Sequence, residues 1–408
     1  MAKVFVFCVG GTGIRVMKSV IMLAASGMKT NGYDIVPIII DPHVDLEENT
    51  ILTTMVGDYI KIYKNATSGA AQQIDAPNGF FNTKILRLED LDNQQNPMGA
   101  NMAEKKSFGQ YLNIGSLAND DVNNYLIQTL YSKENLCNSL SVGFKGNPNV
   151  GTVVLNEMIS GADWYDSFQR HCEKGDRVFI ISSIFGGTGA SGYPLLEKKI
   201  KEDEAHPQIS NAVLGAVTVL PYYSLDDPTT SGSDIDSANF YTKTKAALSY
   251  YEKSVKSDYL YYAGEQSLRA NYKNNEKEQK DTAHFVELVV ASALFDFLNR
   301  PRPDSCQAMT RAIRENADAL DLSTLGDGYK NIVKNVTNMM IFDLLLNILP
   351  DERQFPLQKT IRLDKEFYQD QPFQSLDAFV KQFHNWYVEL SENNRGFAPL
   401  NRISKGEK

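Results

Sequence analysis

The sequence predicts an α/β fold, a doubly wound parallel sheet with helices on both faces. Its apolar runs are continuous and rich in Val, Ile and Phe, which is typical of strands buried on both faces of a parallel sheet. These runs alternate with amphipathic segments of helical length, and that alternation indicates βαβ units with right-handed crossovers. We find no internal repeat in the sequence.

The order of strands and helices follows from these runs. A strand, a glycine-rich turn and a helix ending near Gly27 are expected within 3–27, and a second strand within 33–45. Residues 46–142 are polar and rich in Asn, and we expect an insertion there and not core sheet. The remaining expected segments are a helix from 148 to about Cys172, strands near 178–184, within 211–223 and within 257–264, helices at 236–255 and 282–298, and mostly helix beyond Arg300.

Composition limits the classes of function. The chain has 408 residues, of which 42% are hydrophobic and 22% charged, and this is a globular composition long enough for two domains. The formal net charge of −9 argues against a sequence-independent nucleic-acid binder. An acidic chain that binds a small anion must supply positive potential locally, from backbone N–H groups or from a metal ion.

Cysteine and apolar content predict a soluble, cytoplasmic protein. The four cysteines are far apart and form no CxxC pair, so we expect buried, reduced thiols at Cys8, Cys137, Cys172 and Cys306. A zinc site is not expected, because the five histidines do not cluster with them. The N-terminal apolar run is too short for a signal sequence, and the best apolar stretch, 338–349, is interrupted by Asp343.

Three glycine-rich loops are the sequence features that indicate a ligand-binding site. In a parallel sheet, ligands bind where strands deliver their carboxyl ends. Glycine lets a ligand approach the backbone closely, and the following helix directs free N–H groups at it. The hydroxyl of Thr188 is suited to a phosphate oxygen or a Mg²⁺-bound water. The candidate residues of the three loops are Gly10, Gly11, Thr12 and Gly13; Gly146, Asn147 and Pro148; and Gly186, Gly187, Thr188 and Gly189.

Each loop alone has an alternative interpretation, because tight turns between strand and helix also use glycine for geometry. The first loop is not a P-loop, since no Gly-Lys-Ser/Thr follows, and Val16 stands where a dinucleotide fingerprint needs its third glycine. An enzyme using NAD or a related cofactor stays open as an alternative, with Asp41 after the second strand as its ribose contact. That alternative leaves the other two loops unexplained.

The loops together resemble the tubulin/FtsZ superfamily of GTPases. Residues 185–191, FGGTGAS, share the central GGTG of the family's signature loop, with departures at Phe185 and Ser191. Residues 143–151, GFKGNPNVG, are similar to the FtsZ loop Gly-Ala-Gly-Ala-Asn-Pro-x-x-Gly. FVFCVGGTGIR and GAVTVLPYY resemble the first nucleotide loop and the ribose-contacting segment. The resemblance covers about residues 3–300 and is strongest to divergent bacterial tubulin-like proteins.

This resemblance implies a Rossmann-like GTPase domain at 1–235 interrupted by the insertion at about 46–142, a long central helix at 236–255, and a mostly helical C-terminal domain at 256–408 with a frayed tail from about 394. It implies GTP/GDP and Mg²⁺ as cofactors, hydrolysis of GTP, and nucleotide-dependent self-assembly into filaments. Further protein partners are possible under this resemblance, whereas nucleic acid and a membrane span are not expected.

The resemblance also implies roles for single residues. Asn239 and Tyr241 would contact the guanine base, although Tyr241 is equally suited to the core. Asp41 would meet a Mg²⁺-bound water or the ribose. Arg15 would add charge near the phosphates, with a solvated position on the helix face as the alternative.

Hydrolysis is the less supported half of the resemblance. In the family a neighbouring subunit supplies an Asn-x-Asp pattern, and this sequence has none at the equivalent stretch. Asp281 and Glu287 are the available carboxylates and are our catalytic candidates, although Asp281 is also suited to capping a helix. The missing pattern keeps a second function open, a non-hydrolysing nucleotide sensor or scaffold that acts with partner proteins, for example in bacterial defence or stress response.

Overall fold

The computed structural model describes residues 2–42, 47–67, 79–92, 99–100, 106–118, 120–140, 144, 146–222, 240–264, 283–311, 328–348 and 365–391. Seven strands form one sheet in the order β3-β2-β1-β4-β5-β6-β7, and every pairing between neighbours is parallel. The strands are β1 Lys3–Val9, β2 Asp34–Ile40, β3 Gly99–Ala100, β4 Arg177–Ser183, β5 Val213–Val219, β6 Tyr259–Ala263 and β7 Gln307–Arg311. The predicted α/β fold class is confirmed.

Helices connect the strands and cover both faces of the sheet. The helices are α1 Gly10–Ala25, α2 Glu47–Thr67, α3 Leu88–Asp92, α4 Phe108–Tyr111, α5 Val122–Leu130, α6 Lys133–Cys137, α7 Pro148–Ile159, α8 Asp163–His171, α9 Gly187–Lys201, α10 Pro207–Ser210, α11 Phe240–Ser254, α12 Phe285–Leu298, α13 Tyr329–Ile348, α14 Lys365–Gln369 and α15 Gln371–Ser391. The described part of the C-terminal region is mainly helical, as predicted. No helix among the described residues is long and apolar enough to span a membrane.

The first helical layer packs on one face of the sheet through aromatic side chains. The rings of Phe5 and Phe7 in β1 meet the ring of Phe168 in α8 at centroid distances of 5.0 and 5.1 Å. Tyr193 of α9 and Tyr251 of α11 are in edge contact at 5.2 Å, which joins these two helices. Helix α7 packs along α9 and completes this layer.

The second layer lies on the opposite face and includes the last described helix. Phe179 of β4 packs against Phe297 of α12, with ring centroids 5.2 Å apart, and α12 packs along α1. Helix α2 contacts both α1 and α15. The indole Nε1 of Trp386 in α15 donates a hydrogen bond of 3.0 Å to Ser19 Oγ in α1. The last described helix, α15, is therefore packed against α1, the helix that follows β1.

Three features differ from the sequence-based expectations. The helix expected from 148 to about Cys172 is two helices, because Gly161 takes a left-handed φ of 71° between α7 and α8. The polar segment 46–142 contributes β3 to the sheet, together with a bridge from Ile85 to Ile35. The segment 256–408, predicted to form the second domain, supplies β6 and β7 to the same sheet.

The cysteines divide into two groups, and all four are free. Cys8 and Cys172 are buried, and burial raises the pKa of the Cys172 thiol to about 12 and the pKa of Cys8 further above its ordinary value. Cys137 and Cys306 are exposed, so the prediction of buried thiols is wrong for these two. Both lie outside the strands and helices that form the central core.

Candidate functional site

The three glycine loops meet at one edge of the sheet. A Cβ atom placed on Gly10 would lie 3.2 Å from Thr188 Cβ and 3.5 Å from the backbone nitrogen of Gly189. A Cβ atom on Gly187 would lie 3.1 Å from the nitrogen of Gly146 and 3.2 Å from that of Asn147. The third loop therefore touches both of the others. We call this surface, formed by 10–13, 146–148 and 186–189, the glycine edge.

Two positions of the glycine edge require glycine for conformational reasons. Gly10 has a φ of 73° and Gly146 a φ of 72°, both in the left-handed region that side chains with a Cβ rarely adopt. Gly10 turns the chain from the end of β1 directly into α1. Gly146 turns it two residues before α7 begins. These turns bring backbone, and not side chains, to the surface of the edge.

Three long helices begin at the glycine edge. Helices α1, α7 and α9 have 16, 12 and 15 residues, and their N-cap residues are Val9, Asn147 and Gly186. None of these three N-caps makes a side-chain capping bond, and none of the three first turns carries an acidic residue. The first-turn N–H groups and the positive ends of three helix dipoles are thus directed at one surface. This arrangement suits an anion that carries several oxygens.

A lysine that the sequence analysis missed completes the edge. Lys243 of α11 is partly buried, and its ammonium donates a hydrogen bond of 2.8 Å to the carbonyl oxygen of Gly146. The bond joins residues that are 97 positions apart. The signal in the sequence was a lysine close to the start of the helix predicted at 236–255, and nothing in its neighbours indicated a contact with the second loop.

The remaining edge residues flank the first loop. Gly11, Thr12 and Thr188 are partly buried. Asp41 is 4% exposed and follows β2, which pairs with β1 so that Val9 lies opposite Ile40. The next residues along these two strands are Gly10 and Asp41, so the carboxylate of Asp41 belongs to the strand end beside the first loop.

Arg15 lies inside a buried ion-pair network. Its Nε donates to Glu287 Oε1 at 2.6 Å, and its Nη1 donates to Glu48 Oε1 at 3.2 Å. The ammonium of Lys18 donates to Glu48 Oε2 at 2.6 Å. All four side chains are at most 5% exposed. The alternative of a solvated arginine on the helix face is therefore wrong, and two carboxylates balance the charge of Arg15 and Lys18.

Glu287 is the centre of this network. It is fully buried, and its Oε1 also accepts a hydrogen bond of 2.9 Å from the hydroxyl of Tyr222. Its Oε2 accepts from the backbone nitrogen of His284 at 3.0 Å, which caps the start of α12. Glu287, a charged residue on an otherwise apolar helix, thus joins α12 to α1 and to the segment after β5. A carboxylate buried in this way offers no surface to a second subunit.

The other predicted residues have different positions. Tyr241 is 51% exposed, so the alternative that places it in the core is wrong. It lies on α11 two residues before Lys243, and α11 stands in the chain between the neighbouring strands β5 and β6. Asn239 and Asp281 lie outside the described residues. Among the described residues, no group of three His, Cys, Asp or Glu side chains is arranged to hold a metal ion.

Comparison with known proteins bears on the fold alone. No protein-family model matches the chain, and no curated protein matches its sequence. Among solved structures, the chain is similar to CetZ from Methanosaeta thermophila strain DSM 6194, with 14% sequence identity and a TM-score of 0.33. The match covers 81% of this chain and 59% of the CetZ chain. It is a distant likeness of fold and no more.

Proposed function

We propose that this chain binds GTP with Mg²⁺ at the glycine edge and hydrolyses it while assembling with further copies of itself into filaments in the cytoplasm. The observation that carries the proposal is the convergence of the three loops: the third loop packs so closely on both others that a Cβ on Gly10 would lie 3.2 Å from Thr188 Cβ and one on Gly187 would lie 2.8 Å from Phe144 Cβ. This packing places the N-termini of α1, α7 and α9 together, and none of their N-caps makes a side-chain capping bond, so their first-turn N–H groups suit the oxygens of a polyphosphate. Three convergent helix N-termini supply the positive potential that an acidic chain must provide locally.

The residues of the edge have separate roles in this proposal. The backbone N–H groups of the three loops hold the phosphate oxygens, and the Lys243 ammonium adds one charge beside the second loop. Thr188 and Asp41 hold Mg²⁺ through its waters, and Tyr241 and Asn239 meet the base. A bound Mg²⁺ would neutralise charge on the phosphate oxygens during phosphoryl transfer.

The test measures nucleotide binding and assembly in wild type and two threonine variants. Thr188→Ala removes the hydroxyl at the edge, whereas Thr53→Ala removes an exposed hydroxyl that donates to the carbonyl oxygen of Asn49 in its own helix. Titration with a fluorescent GTP analogue should show binding weakened about tenfold or more by Thr188→Ala, because hydrogen bonds to charged groups contribute about 1.5–3 kcal/mol. Thr53→Ala should bind as wild type does. Equal affinity in both variants would contradict the assignment of Thr188.

Hydrolysis and assembly need a second measurement. Phosphate release per molecule should rise with protein concentration, and GTP with Mg²⁺ should increase the sedimented fraction. Flat, first-order release with no sedimentation would contradict hydrolysis coupled to assembly. In a thermal-shift comparison, GTP should raise the melting temperature more than ATP, NAD or S-adenosylmethionine. A larger shift with NAD would favour the alternative of a dinucleotide enzyme.

The second candidate function is a nucleotide sensor or scaffold that does not hydrolyse GTP. The specific observation in its favour is the burial of Glu287, whose carboxylate is engaged by Arg15, Tyr222 and the backbone of His284. One of the two predicted catalytic carboxylates is thereby tied to a role within the chain. Saturable GTP binding without phosphate release, even in concentrated protein, would select this function.

A further inference from the structure

A second concave surface lies away from the glycine edge, where helices α1, α2 and α15 meet. It is a half-open cavity of about 410 Å³. Met22, Ile51, Met55 and Trp386 line its apolar wall, and Lys18 contributes a buried cation. A cavity of this size matches small-molecule sites, which are mostly apolar with a few placed polar groups.

The ammonium of Lys18 has unused hydrogen-bonding capacity. Among the described residues, Glu48 is its one acceptor, at 2.6 Å, and an ammonium carries three N–H groups. Lys18 is only 5% exposed, and burial lowers its pKa, although the nearby Glu48 carboxylate opposes that shift. An acceptor atom inside the cavity would accept a hydrogen bond from an N–H group of Lys18 that Glu48 does not use.

The charges around Lys18 decide which acceptor is suitable. Among the described residues, Arg15 and Lys18 bring two positive charges to this group, Glu48 and Glu287 bring two negative charges, and all four side chains are buried together. Lys18 is the charged residue among those that line the cavity. An anionic ligand would leave this balanced group with one buried negative charge in excess, which costs several kcal/mol on the order of magnitude known for buried ions. A neutral acceptor, such as a carbonyl oxygen, brings no such cost.

The apolar wall indicates the shape of the ligand. The indole of Trp386 is held in one orientation by its 3.0 Å hydrogen bond to Ser19. Met22 and Met55 line the same cavity, and methionine side chains adapt to a flat ring and make favourable sulfur contacts with it. A fixed indole with adaptable methionines favours an aromatic body over a long flexible chain.

We propose that the cavity between α1, α2 and α15 binds an uncharged aromatic small molecule that accepts a hydrogen bond from Lys18. This inference goes beyond the proposed nucleotide function and does not depend on it, because the cavity and the glycine edge share no lining residue. The two proposals therefore fail or succeed separately.

The test uses three probes of similar size on the full chain without nucleotide. Acetophenone carries a neutral carbonyl, benzoate a charged carboxylate, and ethylbenzene no acceptor. Saturation-transfer NMR should show acetophenone bound in the wild type, with a dissociation constant about tenfold or more below those of benzoate and ethylbenzene. Tightest binding by benzoate, or no transfer to acetophenone, would overturn the proposal.

Two neighbouring threonines of α2 give a matched pair of variants. Thr54 is exposed and lines the cavity, whereas Thr53 is exposed and does not line it. Thr54→Trp should abolish acetophenone binding by filling the cavity mouth, and Thr53→Trp should leave it unchanged. Both positions are on the surface, so both variants should fold with melting temperatures near that of wild type. Equal binding in the two variants would place the probe elsewhere and refute the proposal.

A third variant tests the role of the cation. Lys18→Met keeps the length of the side chain and removes the donor. It should erase the preference for acetophenone over ethylbenzene while leaving ethylbenzene binding within about twofold. A preference that survives in Lys18→Met would contradict the hydrogen bond. Should this variant fail to fold, the comparison of the two threonine variants still decides the proposal.

Discussion

Replacing Glu287 by Gln should strongly destabilise the folded chain. The change keeps the size of the side chain but removes the charge that Arg15 meets at 2.6 Å, and Glu287 is fully buried. Breaking one partner of a buried ion pair costs about 3–5 kcal/mol, because the remaining charge is left uncompensated in a low-dielectric site. Here Glu48 still faces Arg15 at 3.2 Å, so we expect a loss near the lower end, about 3 kcal/mol.

Urea unfolding monitored by tryptophan fluorescence measures this loss. With a slope of about 3 kcal/mol per molar urea, a loss of about 3 kcal/mol lowers the unfolding midpoint by about 1 M. The matched control is Asp377→Asn, which breaks the exposed pair with Lys381 on α15. Exposed pairs contribute about 0–1 kcal/mol, so the midpoint of the control should barely move.

A double variant separates the loss of stability caused by an uncompensated charge from a loss caused by altered packing. Arg15→Met combined with Glu287→Leu removes both charges and leaves Lys18 and Glu48 to balance each other. This variant should be more stable than Glu287→Gln alone, since no uncompensated charge is left in the core. A loss below about 1 kcal/mol for Glu287→Gln, or a double variant no more stable than Glu287→Gln, would refute the reasoning.

Three further predictions follow from separate features. Gly187→Ala should weaken GTP binding more than about tenfold, because its methyl group would lie 2.8 Å from Phe144 Cβ and push the second loop away. The control is Gly57→Ala, in a helix position with open space around it. It should add up to about 1 kcal/mol of stability in a urea titration. Burial raises the pKa of Glu197 above its ordinary value of 4.5, so the stability of wild type should fall relative to that of Glu197→Gln as the pH rises from 4.5 through this raised pKa, and parallel curves from calorimetry would contradict this. A thiol-reactive dye should label two cysteines in the native chain and four in urea, the native pair being Cys137 and Cys306.

The five strands that the sequence predicted, β1, β2, β4, β5 and β6, are buried along nearly their whole length. β1, β2, β4 and β5 are continuous apolar runs because helices cover both of their faces. β3 has two residues, Gly and Ala, and β7 reads QAMTR, so neither shows a pattern that distinguishes a strand from a loop. Their places in the sheet depend on pairing with β2 and β6, which is a tertiary effect.

The candidate site, like the sheet, was predicted only in part from the sequence. The glycine loops were predicted because a turn that brings backbone close to a ligand needs glycines close together in the sequence, and that pattern is visible in a short stretch. No short sequence pattern predicts the contacts of Arg15, because its partners Glu48 and Glu287 lie 33 and 272 positions away. A lone arginine on a helix was consistent with a phosphate contact, with solvent, and with a buried pair. Only the packing of α2 and α12 on α1 decides among these.

The hydrogen bond from Trp386 to Ser19 joins residues 367 positions apart. During synthesis on the ribosome, at about 5–20 residues per second, Trp386 of α15 is made about 20–70 s after Ser19 of α1. In that interval the apolar side of the first helix, including Met22, has no α15 to cover it. A nascent chain of this protein should therefore depend on chaperones until α15 has been made, and ribosome-bound fragments that stop before residue 371 should be sensitive to protease.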